Sequence, residues 1–181
     1  MQVPDIHIET ERLILRPPRA EDFDPWAVLM ADERSARFIG DVQPRAVAWR
    51  TFLTIAGAWA IQGFGMFSVI EKSSGRWIGR LGPWQPDGWP GTEVGWGLLP
   101  DAWGRGYATE GATAAMDYAF DVLGWSEVIH TIDPANAPSQ RVAQRLGSRR
   151  LRSARLPPPI DEPVDVWGQT RREWLARRGK K

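Results

Sequence analysis

Midway along the chain a strand, a glycine turn and a long helix follow in direct succession. Thr92–Leu99 (TEVGWGLL) has the apolar content of a strand and stops at Pro100. Asp101-Ala102-Trp103-Gly104-Arg105-Gly106-Tyr107-Ala108-Thr109 comes next. Ala108, Ala112, Ala115, Met116, Ala119, Phe120 and Leu123 then form one stripe, which predicts a helix over Ala108–Leu123 with Gly124 as its stop. The first amides of such a helix lack intrahelical partners, and its dipole adds about half a positive charge there. Gly104 and Gly106 remove Cβ atoms, so a phosphate can approach those amides, and Arg105 adds a cation. The junction predicts a phosphate or pyrophosphate site made by Gly104, Arg105, Gly106, Tyr107, Ala108 and Thr109. An ordinary glycine turn is the competing reading. Two other phosphate loops do not fit: no Gly-Lys-Ser/Thr run exists, and Thr109 stands where a dinucleotide fingerprint needs its third glycine.

Around this junction the pattern alternates less regularly than a parallel α/β fold requires. Thr10–Arg16 reads as a strand ended by Pro17-Pro18, and Ala20–Asp32 as a helix with acids in its first turn. A second helix is expected over Pro44–Gln62. Gly65–Glu71 and Arg76–Leu81 read as a hairpin. The Gly82–Gly91 loop, with three prolines and two tryptophans, is expected to lack regular structure. Glu127–Ile132 is a strand, Pro138–Leu146 a short helix, and further strands are expected near Ser148–Arg152 and Val164–Gln169. Gly95 and Gly97 inside a strand suggest a bulge or a close approach to the backbone. The fold class is mixed α/β: one central, mostly antiparallel sheet flanked by helices, in a single domain spanning 1–181, with a core of about 8–174 and a basic tail over 175–181.

Composition narrows the chemistry. Without cysteine there is no disulfide scaffold, cysteine nucleophile or thiolate metal site, and with two histidines no histidine-rich zinc site; no metal is expected. No apolar run is long enough to span a membrane, and the acidic N-terminus lacks a signal-peptide core, so a cytoplasmic location is expected. Charge is uneven: residues 1–140 carry 11 Lys/Arg against 18 Asp/Glu, and residues 141–181 carry 12 against 4. The basic quarter reads as a solvated face or as a site for a polyanionic partner. Eleven tryptophans are many, and most are expected in the core.

A second constellation is Asp133-Pro134-Ala135-Asn136-Ala137-Pro138-Ser139, joining a strand to the short helix. Asn136 is suited to an N-cap. The stretch EVGWGLLPDAWGRGYATEGATAAMDYAF with NAPSQRVAQRLGS resembles the GNAT superfamily of acetyl-CoA-dependent N-acetyltransferases. The opening IETERLILRPPRAED and LPDAWGRGYATE resemble its RimJ/RimL branch, which includes protein N-terminal acetyltransferases. The resemblance runs roughly from Ile8 to Trp174. It implies a sheet splayed at the cofactor strand, acetyl-CoA as cosubstrate and an amine acceptor, either a small molecule or a peptide N-terminus. A homodimer is compatible with it. The turn up to Thr109 would hold the pyrophosphate, with Trp103 where the family has Gln or Arg. Leu98 and Leu99 would pair their backbone with the pantetheine arm, and Gly95 and Gly97 would fit the splaying bulge. Asn136 would bond pantetheine, and Ser139 would lie near the thioester. Two positions depart from the family pattern: Ala143 stands where a tyrosine is common, and Ser148 follows Gly147 where phenylalanine is usual.

Acetyl transfer needs a neutral amine. An α-amine, with a pKa of about 7.7–8.0, is about a tenth to a fifth neutral at pH 7, whereas a lysine is almost wholly charged. Glu93, opening the central strand, is the candidate base, and Ser139 the candidate donor to the leaving sulfur. A solvent-exposed strand-end carboxylate is the competing reading of Glu93. His130 reads as structural. Trp84 and Trp89 either wall the acceptor site or fold back on the core. Two further classes remain: a non-catalytic CoA-binding sensor, and a ribosome- or RNA-associated binder. No stacking-aromatic RNA motif is present, so nucleic acid is not the expected partner.

Overall fold

The computed structural model describes residues 5–179. The chain begins with the strands β1 (Ile8–Glu9) and β2 (Leu13–Arg16), and a 3-10 turn over Ala20–Asp22 leads into helix α1 (Phe23–Ala31). Then come α2 (Glu33–Ala36), α3 (Arg45–Ile61), β3 (Phe67–Glu71), β4 (Trp77–Trp84) and β5 (Glu93–Leu98). The second half runs α4 (Tyr107–Asp121), β6 (Glu127–Ile132), α5 (Ala137–Leu146), β7 (Arg149–Arg155), β8 (Pro163–Thr170) and α6 (Arg171–Arg178). The strands form one eight-stranded sheet in the order β1-β2-β3-β4-β5-β6-β8-β7. Every pairing is antiparallel except β5 with β6, which share a single register pair, Glu93 with Ile129. The mixed, mostly antiparallel plan is the one expected, and the sheet forks between β5 and β6.

Helix α4 lies on one face of the sheet. Its Ala112, Ala115, Met116 and Ala119 are fully buried against Leu13, Leu15, Phe67, Ile78, Leu81, Val94 and Leu98. Gly111 permits the close approach, since a Cβ there would lie 2.5 Å from Leu81 Cδ2. The other face is covered by α1 and α3, whose Trp26, Leu29, Met30, Phe52 and Ile55 pack with Met66, Trp77 and Leu99.

Three expectations need correction. The stretch after Leu81 is not all loop, because β4 continues through Trp84, paired with Glu93. Pro83 is tolerated there because β3 pairs with β4 only as far as Phe67 with Leu81, so the missing N–H faces no strand. The 175–181 segment is not simply a tail: residues 171–178 form α6, started by a reciprocal capping box between Thr170 and Glu173. Trp174 anchors it, buried beside Phe120 with Nε1 donating to Asp117, while residues 180–181 lie outside the described residues. The tryptophans are not mostly core: Trp26, Trp59, Trp77, Trp167 and Trp174 are buried, but Trp84, Trp89 and Trp96 are part-buried and Trp103 is exposed. In the basic C-terminal quarter several exposed arginines are ion-paired: Arg149, Arg150, Arg155, Arg171 and Arg178 each meet a carboxylate.

Candidate active site

Hydrogen bonding along β5 shows which backbone groups face the fork. Leu99 N–H donates to Ile78 O of the β4 side, so alternation turns Val94, Trp96 and Leu98 the other way. Val94 O meets His130 Nδ1 at 2.7 Å, and Leu98 O accepts Trp103 Nε1 at 2.8 Å. Of the two leucines expected to serve a pantetheine arm, Leu98 turns its backbone to the fork and Leu99 directs its N–H away. The register of β5 on β4 is unbroken, so Gly95 and Gly97 do not form a bulge. They make room on the opposite face, where a Cβ would lie 3.0 Å from Met66 Cε and 3.2 Å from Ile39 Cδ1.

The turn into α4 has the form expected of an anion site. Gly104 and Gly106 have φ of +72° and +82°, the left-handed region open to glycine. Gly106 is the N-cap without a side-chain cap, and the first helical bond is Glu110 N–H to Gly106 O. The amides of Tyr107, Ala108 and Thr109 are thus left without intrahelical acceptors. A Cβ at Gly104 would meet nothing within 4 Å, so the turn is open on that side.

Two side chains of the turn differ from expectation. Arg105 is not a free cation: it pairs with Glu71 at 3.0 Å and lies 4.7 Å over the Tyr107 ring. Tyr107 is buried, and its hydroxyl donates to Glu71 at 2.5 Å. Hydrogen bonds from Ser74 and Tyr107 hold Glu71 below the ordinary carboxylate range. Arg12 was not legible as a site residue. Its Nη1 donates to Arg105 O at 2.9 Å, its Nε to Glu110 at 2.7 Å, and its guanidinium lies 4.5 Å over Tyr107. Arg12, Glu71 and Glu110 together pin the turn to β2 and β3.

Glu93 sits where β5 and β6 still touch. It is buried, not an exposed strand end. Its Oε1 accepts Thr131 N–H and the Thr131 hydroxyl, each at 3.0 Å, and its Oε2 accepts Trp89 Nε1. Burial pushes the carboxyl above its usual range, while the bonds from Thr131 and Trp89 oppose that rise. Trp89 therefore folds over Glu93 instead of standing as a separate wall. Trp84 packs beside the α1–α3 cluster and lines an apolar groove of about 400 Å³ with Leu53, Gly57, Ile61 and Pro86. Thr131 is a further site residue that sequence reasoning missed.

Across the fork, Asn136 caps α5 by accepting Ser139 N–H at 3.1 Å, which leaves its NH₂ group available. Ser139 Oγ accepts Trp96 Nε1 at 3.2 Å. Indole donates only, so the serine's own proton is free to point elsewhere. His130 is structural as expected: it is 1% exposed, with Val94 O on one nitrogen and Ser148 Oγ at 2.9 Å on the other, and burial lowers its pKa to about 4. Ala143 is fully buried with Ile132, Trp167 and Trp96.

Residues 12–149 match the Acetyltransferase (GNAT) domain. This chain belongs to the GNAT acetyltransferase family. An uncharacterized N-acetyltransferase of Bacillus subtilis (strain 168), YnaD, is 29% identical over 149 residues, covering 80% of this chain and 84% of that one. An Agrobacterium tumefaciens acetyltransferase structure superposes with a TM-score of 0.81 at 30% identity, covering 94% and 98% of the two chains. The structure of Mycobacterium smegmatis RimJ with CoA-disulfide shares the fold, with a TM-score of 0.70 at 18% identity and coverage of 92% and 89%. As a GNAT protein the chain is an acyltransferase, an acetyl-CoA-dependent N-acetyltransferase at the level of the family. The open amides of the α4 turn, the forked strands and the free NH₂ of Asn136 suit a long phosphorylated thioester. No His/Cys/Asp/Glu group among the described residues could hold a metal ion, and no described helix is long and apolar enough to cross a membrane.

Proposed function

We propose that this GNAT protein acetylates a primary amine of the α-amine type, that of a peptide N-terminus or of a small molecule. The observation that carries the reading is Glu93: a buried carboxylate at the closed end of the fork, its pKa raised by burial, held by Thr131 and Trp89. A general base is most effective with its pKa near the operating pH. A peptide α-amine has a neutral fraction near pH 7 and the more basic amine of a free amino acid a smaller one, so the carboxylate's task is to take the amine's proton before or on attack. Acetyl-CoA supplies the acetyl thioester. The amides of Tyr107, Ala108 and Thr109, with the left-handed glycines 104 and 106, bind its pyrophosphate, and Arg105 supports the turn through Glu71. The N–H of Leu98 and the NH₂ of Asn136 orient the pantetheine arm. Ser139, oriented by Trp96, gives a hydrogen bond or proton to the departing sulfur.

Free-CoA release against a panel of amino acids, short peptides, polyamines and aminoglycosides tests this reading. Turnover of α-amines ahead of side-chain amines is expected. No CoA release with any amine at saturating acetyl-CoA would overturn it and leave a CoA-binding protein without transferase activity.

A further inference from the structure

Arg80 lies in mid-β4 opposite Gly97, and Trp84 lies opposite Glu93. Directly opposed residues share a face, so Arg80, Trp84, Glu93 and the glycines 95 and 97 all turn toward α1 and α3. Arg80 is part-buried. Its Nε has no hydrogen-bond partner, and its Nη1 meets only the thioether sulfur of Met66, a weak acceptor. Among the described residues no carboxylate is in ion-pair contact with it, and Glu93 acts on it only from a distance. Burial lowers its pKa to about 10, so it is cationic at neutral pH. The Trp26 ring lies 5.3 Å from the guanidinium carbon, and Trp26 Nε1 is a second buried donor without a partner. A guanidinium whose Nε is buried without a partner, and which has no anion in contact, is disfavoured. This one sits on the same face as the candidate base.

Met66 touches Arg80 and neighbours Glu93 over Gly95. Its sulfur touches Arg80, and its Cε approaches Gly95 within 3.0 Å of where a Cβ would be, beside Glu93 Oε1. Met66 is 5% exposed, so seating a ligand against Arg80 requires its unbranched thioether to repack, which methionine does readily. Glycines 95 and 97 keep the floor between the charges low.

We propose that the acceptor is a small amine bearing an anionic oxygen group, an amino acid or a close analogue, whose amine meets Glu93 and whose carboxylate pairs with Arg80. This rests on the reading of Glu93 as the base. A peptide N-terminus offers Arg80 only a neutral carbonyl, and a polyamine offers it a second cation.

The test compares an α-amino acid, its carboxamide and the decarboxylated amine. Free-CoA release gives KM and kcat for wild type and for Arg80→Met, and calorimetry gives binding of the same compounds to the CoA-loaded protein. Wild type is expected to favour the acid over the amide by about 10- to 100-fold in KM, the range for a hydrogen bond to a charged group. Arg80→Met should bring the two together through KM more than kcat. Equal use of acid and amide, or a preference for the decarboxylated amine, overturns the proposal even if Arg80→Met fails to fold. If nothing is acetylated, selective calorimetric binding of the acid still supports the carboxylate site while the base assignment fails. Equal or absent binding overturns the site.

Discussion

Glu93→Gln separates basicity from shape. The carboxylate accepts from Thr131 through Oε1 and from Trp89 through Oε2. A carboxamide keeps one acceptor oxygen and must turn its NH₂ toward one of two N–H donors. The exchange loses one hydrogen bond to a charged group, about 1.5–3 kcal/mol. It also removes a charge that burial disfavours, as the raised pKa shows, and the two effects oppose one another. The variant should therefore fold with a Tm close to wild type. The rate should fall about 10²-fold, or about 2.7 kcal/mol in the barrier, in line with general-base contributions.

The pH profile sharpens the test. The ionised carboxylate is the form that accepts a proton, so wild-type kcat should rise with pH through the raised Glu93 value. Glu93→Gln should lose that limb and retain only the titration of the amine. Trp89→Phe is the companion variant. The Trp89 bond lowers the Glu93 pKa, so its removal should move the limb to higher pH. A folded Glu93→Gln enzyme with the wild-type rate and pH profile would refute the reasoning and reduce Glu93 to an anchor for the Trp89 loop.

Three further outcomes are expected. Ser139→Ala should lower kcat with little change in acetyl-CoA affinity; a change in affinity alone would show that the hydroxyl only holds pantetheine. Arg12→Gln should raise the acetyl-CoA KM about fivefold, the net worth of one hydrogen bond, by loosening the turn at Arg105 O, whereas an unchanged KM would show the turn to be rigid without it. His130 is held neutral with a pKa of about 4 against about 6.5 unfolded, so the unfolded chain takes up the proton first as pH falls. Its contribution should be intact above about pH 6.5, reduced by about 1.4 kcal/mol near pH 5.5 and by about 3 kcal/mol near pH 4. Urea unfolding across that range, with His130→Gln as reference, checks it; parallel curves for the two proteins would sink the claim.

What was legible in the sequence was local. The Gly104–Gly106 turn, the α4 stripe and the Asn136 cap each depend on neighbouring residues, and each lies where its pattern placed it. The capping box of α6 was equally local in Thr170-Arg171-Arg172-Glu173 and went unread behind the C-terminal charge. The electrostatics were not legible, because each charge was answered from far along the chain. Arg105 meets Glu71, Arg12 meets Glu110, and Glu93 meets Thr131. A lone basic residue in a glycine turn looks like a phosphate ligand until the opposing carboxylate is placed beneath it. Gly95 and Gly97 carried a true signal, close approach, but no periodicity could identify Met66 and Ile39 as what approaches.

The two departures from the family pattern make sense together once the space is seen. Ala143 has no phenol to offer, and the apolar pocket around it is filled by Ile132, Trp96 and Trp167. Trp96 also lies 4.9 Å from the His130 ring and donates to Ser139. Ser148 replaces an apolar ring with a hydroxyl, and that hydroxyl meets His130 Nε2 and accepts from Gln169 Nε2 at 2.9 Å. His130 in turn meets Val94 O on the fork edge of β5. A phenylalanine at 148 would leave His130 Nε2 without a partner in the core, at about 1–3 kcal/mol, and would reduce Gln169 Nε2 to its bond with Leu146 O. A tyrosine at 143 would compete with Trp96 for the room beside Ser139. Serine at 148 thus goes with histidine at 130, and alanine at 143 with tryptophan at 96. The second pairing leaves the Ser139 hydroxyl held by a donor that cannot take its proton.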